Sequence, residues 1–438
     1  MAEGAARDEV LAEFCRARSF EGIWTGTSRA DRNRRNALLA AFANAGDHGL
    51  PTADYNPDAL MSRLQSAQTP AEKGAMEVEM SRLFLSYARD IQTGILMPSR
   101  VVADIKREIP LRSRLGYLQS FTASSPQAFL ASLPPSAPEY ARLLREKLKM
   151  GRLIASGGWG AMVPGGMLEP GNSGARVVAL RDRLIAMGFM DRSATQTYDA
   201  TMQAAVQRFQ TAHGLTADGI AGEGTLREMN IPASRRMQQV IVAMERERWT
   251  NRPRGERPVW VNLTDFTAAI MDNDSVTFST RSVIGATDSD RQSPEFSNVM
   301  EFMGINPGWY VPRSIIVGEY LPALQRNRNA VSHIEITNRN GRVVNRGAVN
   351  FSQYNIYLHD TLAKSLFDRE VRAFSHGCVR LNDPFDFAYA LLAVHIVYRT
   401  AFTHATGPLN FRRDIYNRDS RIWNALAGEG VAVRAIGG

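Results

Sequence analysis

FSHGCVRLND, residues 374–383, sets a cysteine two residues after a histidine, with a single glycine between them. A second histidine, His359, stands upstream in YNIYLHD, residues 354–360. A thiol attacks a carbonyl as its thiolate, and an imidazole within hydrogen-bond reach is the usual device for making one near neutral pH. The pair therefore reads as a cysteine nucleophile acting on an acyl group. The same residues allow a metal centre, because one cysteine and two histidines make three zinc ligands with an open fourth position. Against that, an i, i+2 His/Cys pair is poor helical ligand spacing, and no Cys-x-x-Cys or His-x-x-x-His accompanies it. No metal or other cofactor is expected.

Upstream of this string the apolar residues alternate. VWVNLTDFTAAIMDNDSVTFSTRSVIG, residues 259–285, reads as strands joined at Asp-Asn-Asp, and YNIYLHD as a further strand presenting His359 at its end. Residues 313–350 read as a lid inserted before that strand, and DPFDFAYALLAV, residues 383–394, as a helix after the nucleophile. Trp309, Tyr310 and Tyr357 are candidates to flank a substrate, although aromatic residues near strands are commonly core.

A histidine, a gap, then Ser/Thr-His-Gly-Cys, an apolar residue and Arg resembles the L,D-transpeptidase catalytic domain of bacterial cell walls, the YkuD type. RSVIGATDSDRQSPEFSNVMEFMGINPGWYVPRSI, residues 281–315, resembles the segment before that family's active site. The resemblance covers most of 250–400. It implies Cys378 as the acylated nucleophile, His359 as its base, and Asp360 as an orienting residue through its carbonyl. It also implies His376 and Gly377 as the turn whose amides, with that of Cys378, hold the oxyanion. Arg380 matches the family's basic residue, suited to a substrate carboxylate, with an ion pair to Asp383 or Asp386 as the structural alternative. Ser375 joins Arg380, Trp309 and Tyr357 in the substrate-binding set. A Pro/Gly-rich insert common in multidomain relatives is absent or much shortened, since VNRGAVNFSQYNIYLHD, residues 344–360, runs straight through.

The implied chemistry is acyl transfer through a thioester. The donor is a tetrapeptide stem of peptidoglycan, the acceptor a diamino-acid amine, and the product a 3-3 cross-link. Carbapenem β-lactams are the implied covalent inhibitors. Hydrolytic L,D-carboxypeptidase action, lipoprotein linking or release, and a non-catalytic wall-binding protein are the alternatives.

The remaining chain reads as helical support. Residues 1–155 carry apolar residues at three- and four-residue intervals in ALLAAFANAGDHGL and EVEMSRLFLSYARDIQTGIL, and loosely resemble the scaffold region of long L,D-transpeptidases. His48 there reads as a surface or capping residue. SGGWGAMVPGG, residues 156–166, is a glycine-rich breaker. Beyond it Val177, Leu180, Leu184 and Met187 mark one helix face, and Met202, Val206 and Phe209 another. With GLTADG and GEGTLREMNI these pieces resemble a three-helix peptidoglycan-binding domain, Asp218 and Gly219 being turn formers. A connecting helix over 233–250 would turn Met237, Ile241 and Met244 inward. The expected architecture is multidomain α+β: a helical scaffold at 1–155, the small binding domain at 156–232, the connector, and a mostly β catalytic domain at 251–438.

Composition fits a wall enzyme. The 438 residues are 44% hydrophobic, enough for several cores, and carry a net charge of +8, which suits an anionic polymer such as peptidoglycan. Lysine occurs only at Lys73, Lys106, Lys147, Lys149 and Lys364, and no basic run with interleaved aromatics appears, so nucleic acid is not an expected partner. No apolar run is long enough to span a membrane. The first residues lack the basic and apolar regions of a signal peptide, so a periplasmic location implies that the signal has been removed. Cys15, the other cysteine, reads as a small buried hydrophobe, since a bond to Cys378 would silence the nucleophile.

Overall fold

The computed structural model describes residues 1–288, 291–299, 320–327, 358–359, 363–375, 378–384, 393–404 and 407–436. The chain divides into two compact units. One comprises 1–254 with 399–438, the other 255–398. The first is dominated by helices and the second by a mixed sheet, as the multidomain α+β expectation requires.

In the first unit, one core gathers around the long helix Pro70–Thr93. Thr69 and Glu72 form a capping box there, with Pro70 in the first turn, so the helix starts where its orphan amides find partners. Phe84 from this helix packs on Phe121 at 4.5 Å between ring centroids, and Trp24 stacks on Phe121 at 5.3 Å. Each of these fully buried aromatic side chains contributes roughly 1.5–3 kcal/mol. His48 does not sit as a surface residue: its Nδ1 lies 2.9 Å from the Tyr140 hydroxyl. Cys15 packs, partly buried, against this first core.

A second core is the three-helix module of Ala175–Ala186, Ala200–Ala212 and Glu223–Met229. Val177, Leu180, Leu184, Met202, Val206 and Phe209 are fully buried in it, and Met187 packs against its edge. Asp218 and Gly219 form the turn: Gly219 has φ +73°, and the Asp218 carboxylate accepts from the amide of Ile220 at 2.9 Å.

The helix Ala233–Trp249 does more than connect. Met237, Ile241 and Met244 are buried, and so are Glu245, Arg246, Glu247 and Arg248 on its other sides. Arg248 donates to Glu245 at 2.9 Å, and Arg246 donates to Asp419 at 2.8 Å. The residues after Tyr398 surround this helix: a two-stranded ribbon, β9 (Ala401–Phe402) with β10 (Asn410–Phe411), and the helix Arg418–Gly428. Thus a stretch expected to continue the catalytic domain to 438 packs with the helical unit, because Ala401, Phe411, Ile422 and Leu426 complete the core around Met237 and Ile241. Glu247 ties the two chain crossings, receiving Arg254 and Arg399, each at 2.5 Å. Burial acts to raise the Glu247 pKa, but those two guanidiniums hold it below the usual carboxylate range.

The sheet unit comprises β1 (Pro258–Asn262), β2 (Thr267–Asp272), β3 (Ser275–Gly285), β4 (Phe296–Val299), β5 (Leu358–His359), β6 (Ala373–Ser375), β7 (Val379–Leu381) and β8 (Ala393–Val397). Among the described residues the strand order is β4-β8-β1-β2-β3-β7-β5, with β6 also paired to β3. The β2–β3 hairpin turns at Asn273 and Asp274, with φ of 49° and 63°. Two consecutive left-handed residues suit the twist of a two-residue hairpin, and Asn and Asp tolerate them. The helix expected over 383–394 falls largely outside the described residues, and its last two positions, Ala393 and Val394, belong to β8. The lid expected at 313–350 also lies outside them, apart from 320–327, which contains the helix Leu321–Arg326.

Candidate functional site

Strand β3 organises the region around Cys378. Ser282 and Val283 pair antiparallel with Leu381 and Arg380 of β7, while Ile284 and Gly285 pair parallel with Ala373 and Ser375 of β6. Because β6 and β7 run in opposite senses against one strand, the chain reverses direction between Ser375 and Val379. Cys378 sits at that reversal.

Both ends of the reversal are fixed. The Ala286 amide donates to the Ser375 carbonyl at 2.7 Å, and the Ser375 hydroxyl donates to the carbonyl of Cys378. Ser375 is 1% exposed, so this expected substrate-contacting side chain is spent inside the turn. Cys378 is 7% exposed and forms no disulfide.

Gly285 is the backbone position that allows the chain to close here. A Cβ at this residue would lie 2.1 Å from the Arg291 carbonyl and 2.5 Å from the Ser293 amide, and the Gly285 amide donates to the buried Ser293 hydroxyl at 2.9 Å. The sequence offers one signal for it, an isolated glycine ending an apolar strand. Arg372 adds a second fastening, donating to the carbonyls of Ser282 at 3.3 Å and Phe266 at 3.2 Å. Phe266 has φ +54°, and the Arg372 guanidinium lies over its ring.

On the far side of β7, β5 runs parallel with Leu358 opposite Val379 and His359 opposite Arg380. The backbone of His359 is thereby placed one strand from Arg380, which follows Cys378 by two residues. Arg380 is half-buried. Burial lowers its guanidinium pKa, opposed by the attraction of the neighbouring Cys378 sulfur. Asp383, one candidate partner of Arg380, accepts the Thr280 hydroxyl at 2.8 Å. His376, Gly377, Trp309, Tyr310, Tyr357, Asp360 and Asp386 lie outside the described residues. Among the described residues, no three His, Cys, Asp or Glu side chains group as metal ligands would.

Residues 256–398 match the L,D-transpeptidase catalytic domain (YkuD), residues 173–229 a "Putative peptidoglycan binding domain", and residues 9–148 a scaffold domain. A Haemophilus influenzae protein named "Putative L,D-transpeptidase" is 23% identical over 181 residues, 34% of this chain and 37% of the relative. The chain thus aligns with little more than a third of that relative's length. An L,D-transpeptidase crystal structure from Xylanimonas cellulosilytica aligns over 54% of this chain and 98% of its own, at 17% identity and a TM-score of 0.20. A fused zinc-dependent amidase/peptidase and peptidoglycan-binding-domain protein from Clostridium acetobutylicum aligns over 53% and 100%, at 15% identity and a TM-score of 0.18.

Proposed function

We propose, from a chain whose residues 256–398 belong to the YkuD family of L,D-transpeptidase catalytic domains, that it cross-links peptidoglycan stems in the periplasm through a thioester on Cys378. His359 takes the thiol proton. The Cys378 sulfur then attacks the carbonyl of the third residue of a tetrapeptide stem, forming a C–S bond and breaking the peptide bond to the terminal D-alanine, which leaves as the amine with that proton. The side-chain amine of a second stem attacks the thioester, a C–N bond replaces the C–S bond, the amine's proton passes through His359 to the departing sulfur and restores the thiol, and a 3-3 cross-link results.

His376, Gly377 and Cys378 supply the amides that stabilise the tetrahedral oxyanion, and Arg380 takes a stem carboxylate through its planar fork of donors. Trp309 and Tyr357 flank the stem peptide, and the three-helix module holds the polymer. The observation that supports this assignment is the placement of Cys378 at the β6–β7 reversal, with His359 on the adjoining parallel strand in register with Arg380. Incubation of the full chain with purified disaccharide tetrapeptides, read by mass spectrometry, should yield 3-3 dimers and free D-alanine. Cys378→Ala should yield neither. D-alanine loss without dimers would make the protein a hydrolase, and turnover in Cys378→Ala would discard the nucleophile.

A further inference from the structure

Strand β6 carries an irregularity one residue before the closed turn. Opposite Ile284 and Gly285 of β3 stand Ala373 and Ser375, so Phe374 is the extra residue of a β-bulge. Bulges are uncommon between parallel strands, and beside a reacting group they re-aim a side chain. Both flanks of this one are fixed: the Ile284 amide donates to the Arg372 carbonyl at 2.9 Å, and the Ala286 amide to the Ser375 carbonyl at 2.7 Å. Ser375 keeps its side chain inside, whereas Phe374 is 37% exposed.

The bulged phenyl ring carries a cation. The Arg369 guanidinium lies 5.1 Å from its centroid, and Val371, between the two in sequence, is also exposed. Arg372 holds the backbone of this segment, since its guanidinium donates to the Arg369 carbonyl at 2.7 Å as well as to the carbonyls of Ser282 and Phe266. Such backbone fastening lowers the ordering cost when a ligand arrives. Among the described residues the Arg369 guanidinium meets no carboxylate, and the adjoining Asp368 is taken by Arg281 at 3.2 Å.

The turn fixes how far this pair stands from the nucleophile. Adjacent Cα atoms are about 3.8 Å apart, and the Ser375 hydroxyl bonds the Cys378 carbonyl, which keeps the Cα atoms of Phe374 and Cys378 within about 11 Å. An extended peptide advances roughly 3.3–3.6 Å per residue, so a stem acylated on Cys378 covers that span with about three residues.

We infer, resting on the peptidoglycan function proposed above, that Arg369 and Phe374 determine specificity for the donor stem. The guanidinium takes a free carboxylate of the stem outside the bond that breaks, and the phenyl ring takes the aliphatic carbons beside it. Acyl transfer uses only the carbonyl of the third residue, so this carboxylate stays free in substrate, thioester and product alike. A carboxylate on an aliphatic peptide is the complement of an unpaired guanidinium set on an exposed phenyl ring.

The test is a titration of the full chain carrying Cys378→Ala, which binds without turnover, with two tetrapeptide stems. One keeps its carboxylates, and the other has every carboxylate but the terminal one amidated. The free stem should bind about tenfold or more tightly, the scale of a charge-assisted contact. Adding Arg369→Ala should bring the two stems within about twofold of each other, with thermal melting unchanged at this exposed position, and Arg369→Lys should restore part of the preference. Phe374→Ala should weaken both stems together, by roughly threefold to tenfold. Equal affinity of the parent for the two stems would overturn the assignment, as would a preference that survives Arg369→Ala and disappears in Arg380→Ala. Cross-linking by the chain with Cys378 intact, on the same stems, separates the claims. Turnover without carboxylate preference removes the Arg369 site alone, preference without turnover keeps that site and removes the cross-linking, and a chain that neither binds nor turns over either stem removes both.

Discussion

The hydroxyl of Ser375 donates to the carbonyl of Cys378, and the Ser375 carbonyl is itself held by the Ala286 amide. The placement of the Cys378 backbone therefore depends on a side chain that is closed to solvent. Ser375→Ala leaves the Cys378 carbonyl without this donor, at a cost of about 1–3 kcal/mol for a buried polar group. We expect kcat to fall about tenfold or more with KM little changed, and Ser375→Thr to restore most of it, because the effect runs through the turn. Steady-state kinetics on tetrapeptide muropeptides distinguish this from a substrate contact, whose loss would raise KM.

Gly285→Ala tests the other anchor. The new methyl would meet backbone atoms of Arg291 and Ser293, neither of which can rotate away. Overpacking of this kind costs about 1–3 kcal/mol, and more where backbone must move. Chemical denaturation should show a less stable sheet unit, and acylation of Cys378 should slow with it. Wild-type stability in this variant would mean that the loop holding Arg291 does not close on β3 in solution.

Carbapenem acylation tests the nucleophile without a wall substrate. Opening of the strained ring by the Cys378 sulfur should add one drug mass per chain, peptide mapping should place it on Cys378, and Cys378→Ala should show none. Arg380→Ala should slow the reaction if its guanidinium meets the drug's carboxylate. An adduct on Cys15 would contradict the assignment. Burial pushes the pKa of the Cys15 thiol up, which disfavours its thiolate.

Acid titration should expose two opposed groups in the helical unit. Asp90 receives the Tyr55 hydroxyl at 2.6 Å, and burial pushes its carboxyl up to about 6. The folded chain thus holds a proton that the unfolded chain lacks between roughly pH 4 and 6, and Asp90 adds stability as pH falls through that window. His48 is pushed down to about 4 by burial, with Arg248 and Lys147 contributing. There the unfolded chain takes up the proton first, and His48 removes stability as pH falls from about 6.5 to 4. Each group is worth about 3 kcal/mol, so the two largely cancel. Compared with wild type, Asp90→Asn should lose stability more steeply on acidification and His48→Gln less steeply, in urea titrations at pH 7, 5.5 and 4.

Local features were the legible ones. The three-helix module follows from Val177, Leu180, Leu184, Met202, Val206 and Phe209, whose helical spacing became its core. The hairpin at Asn273 and Asp274 follows from two residues that accept left-handed backbone. What escaped depends on partners distant in sequence. His48 is half-buried with its ring against Tyr140, and the tail after Tyr398 finds its place only because the Ala233–Trp249 helix has an apolar surface left to cover. Around Cys378 the motif names the chemistry, whereas the closures at Gly285 and Ser375 arise from strand pairing that no short window of sequence displays.

Glu247 receives Arg254 just before the chain leaves the helical unit and Arg399 just after it returns. On the ribosome, this makes the sheet unit a guest born before its host is finished. The sheet is fully synthesised by Tyr398, while the carboxylate of Glu247 still lacks one of its two cations and the core around Met237 still lacks Ile422 and Leu426. A nascent chain arrested before this last segment would pair a complete sheet unit with an unfinished helical unit whose apolar surface is uncovered, the state in which chaperone capture and aggregation compete with folding.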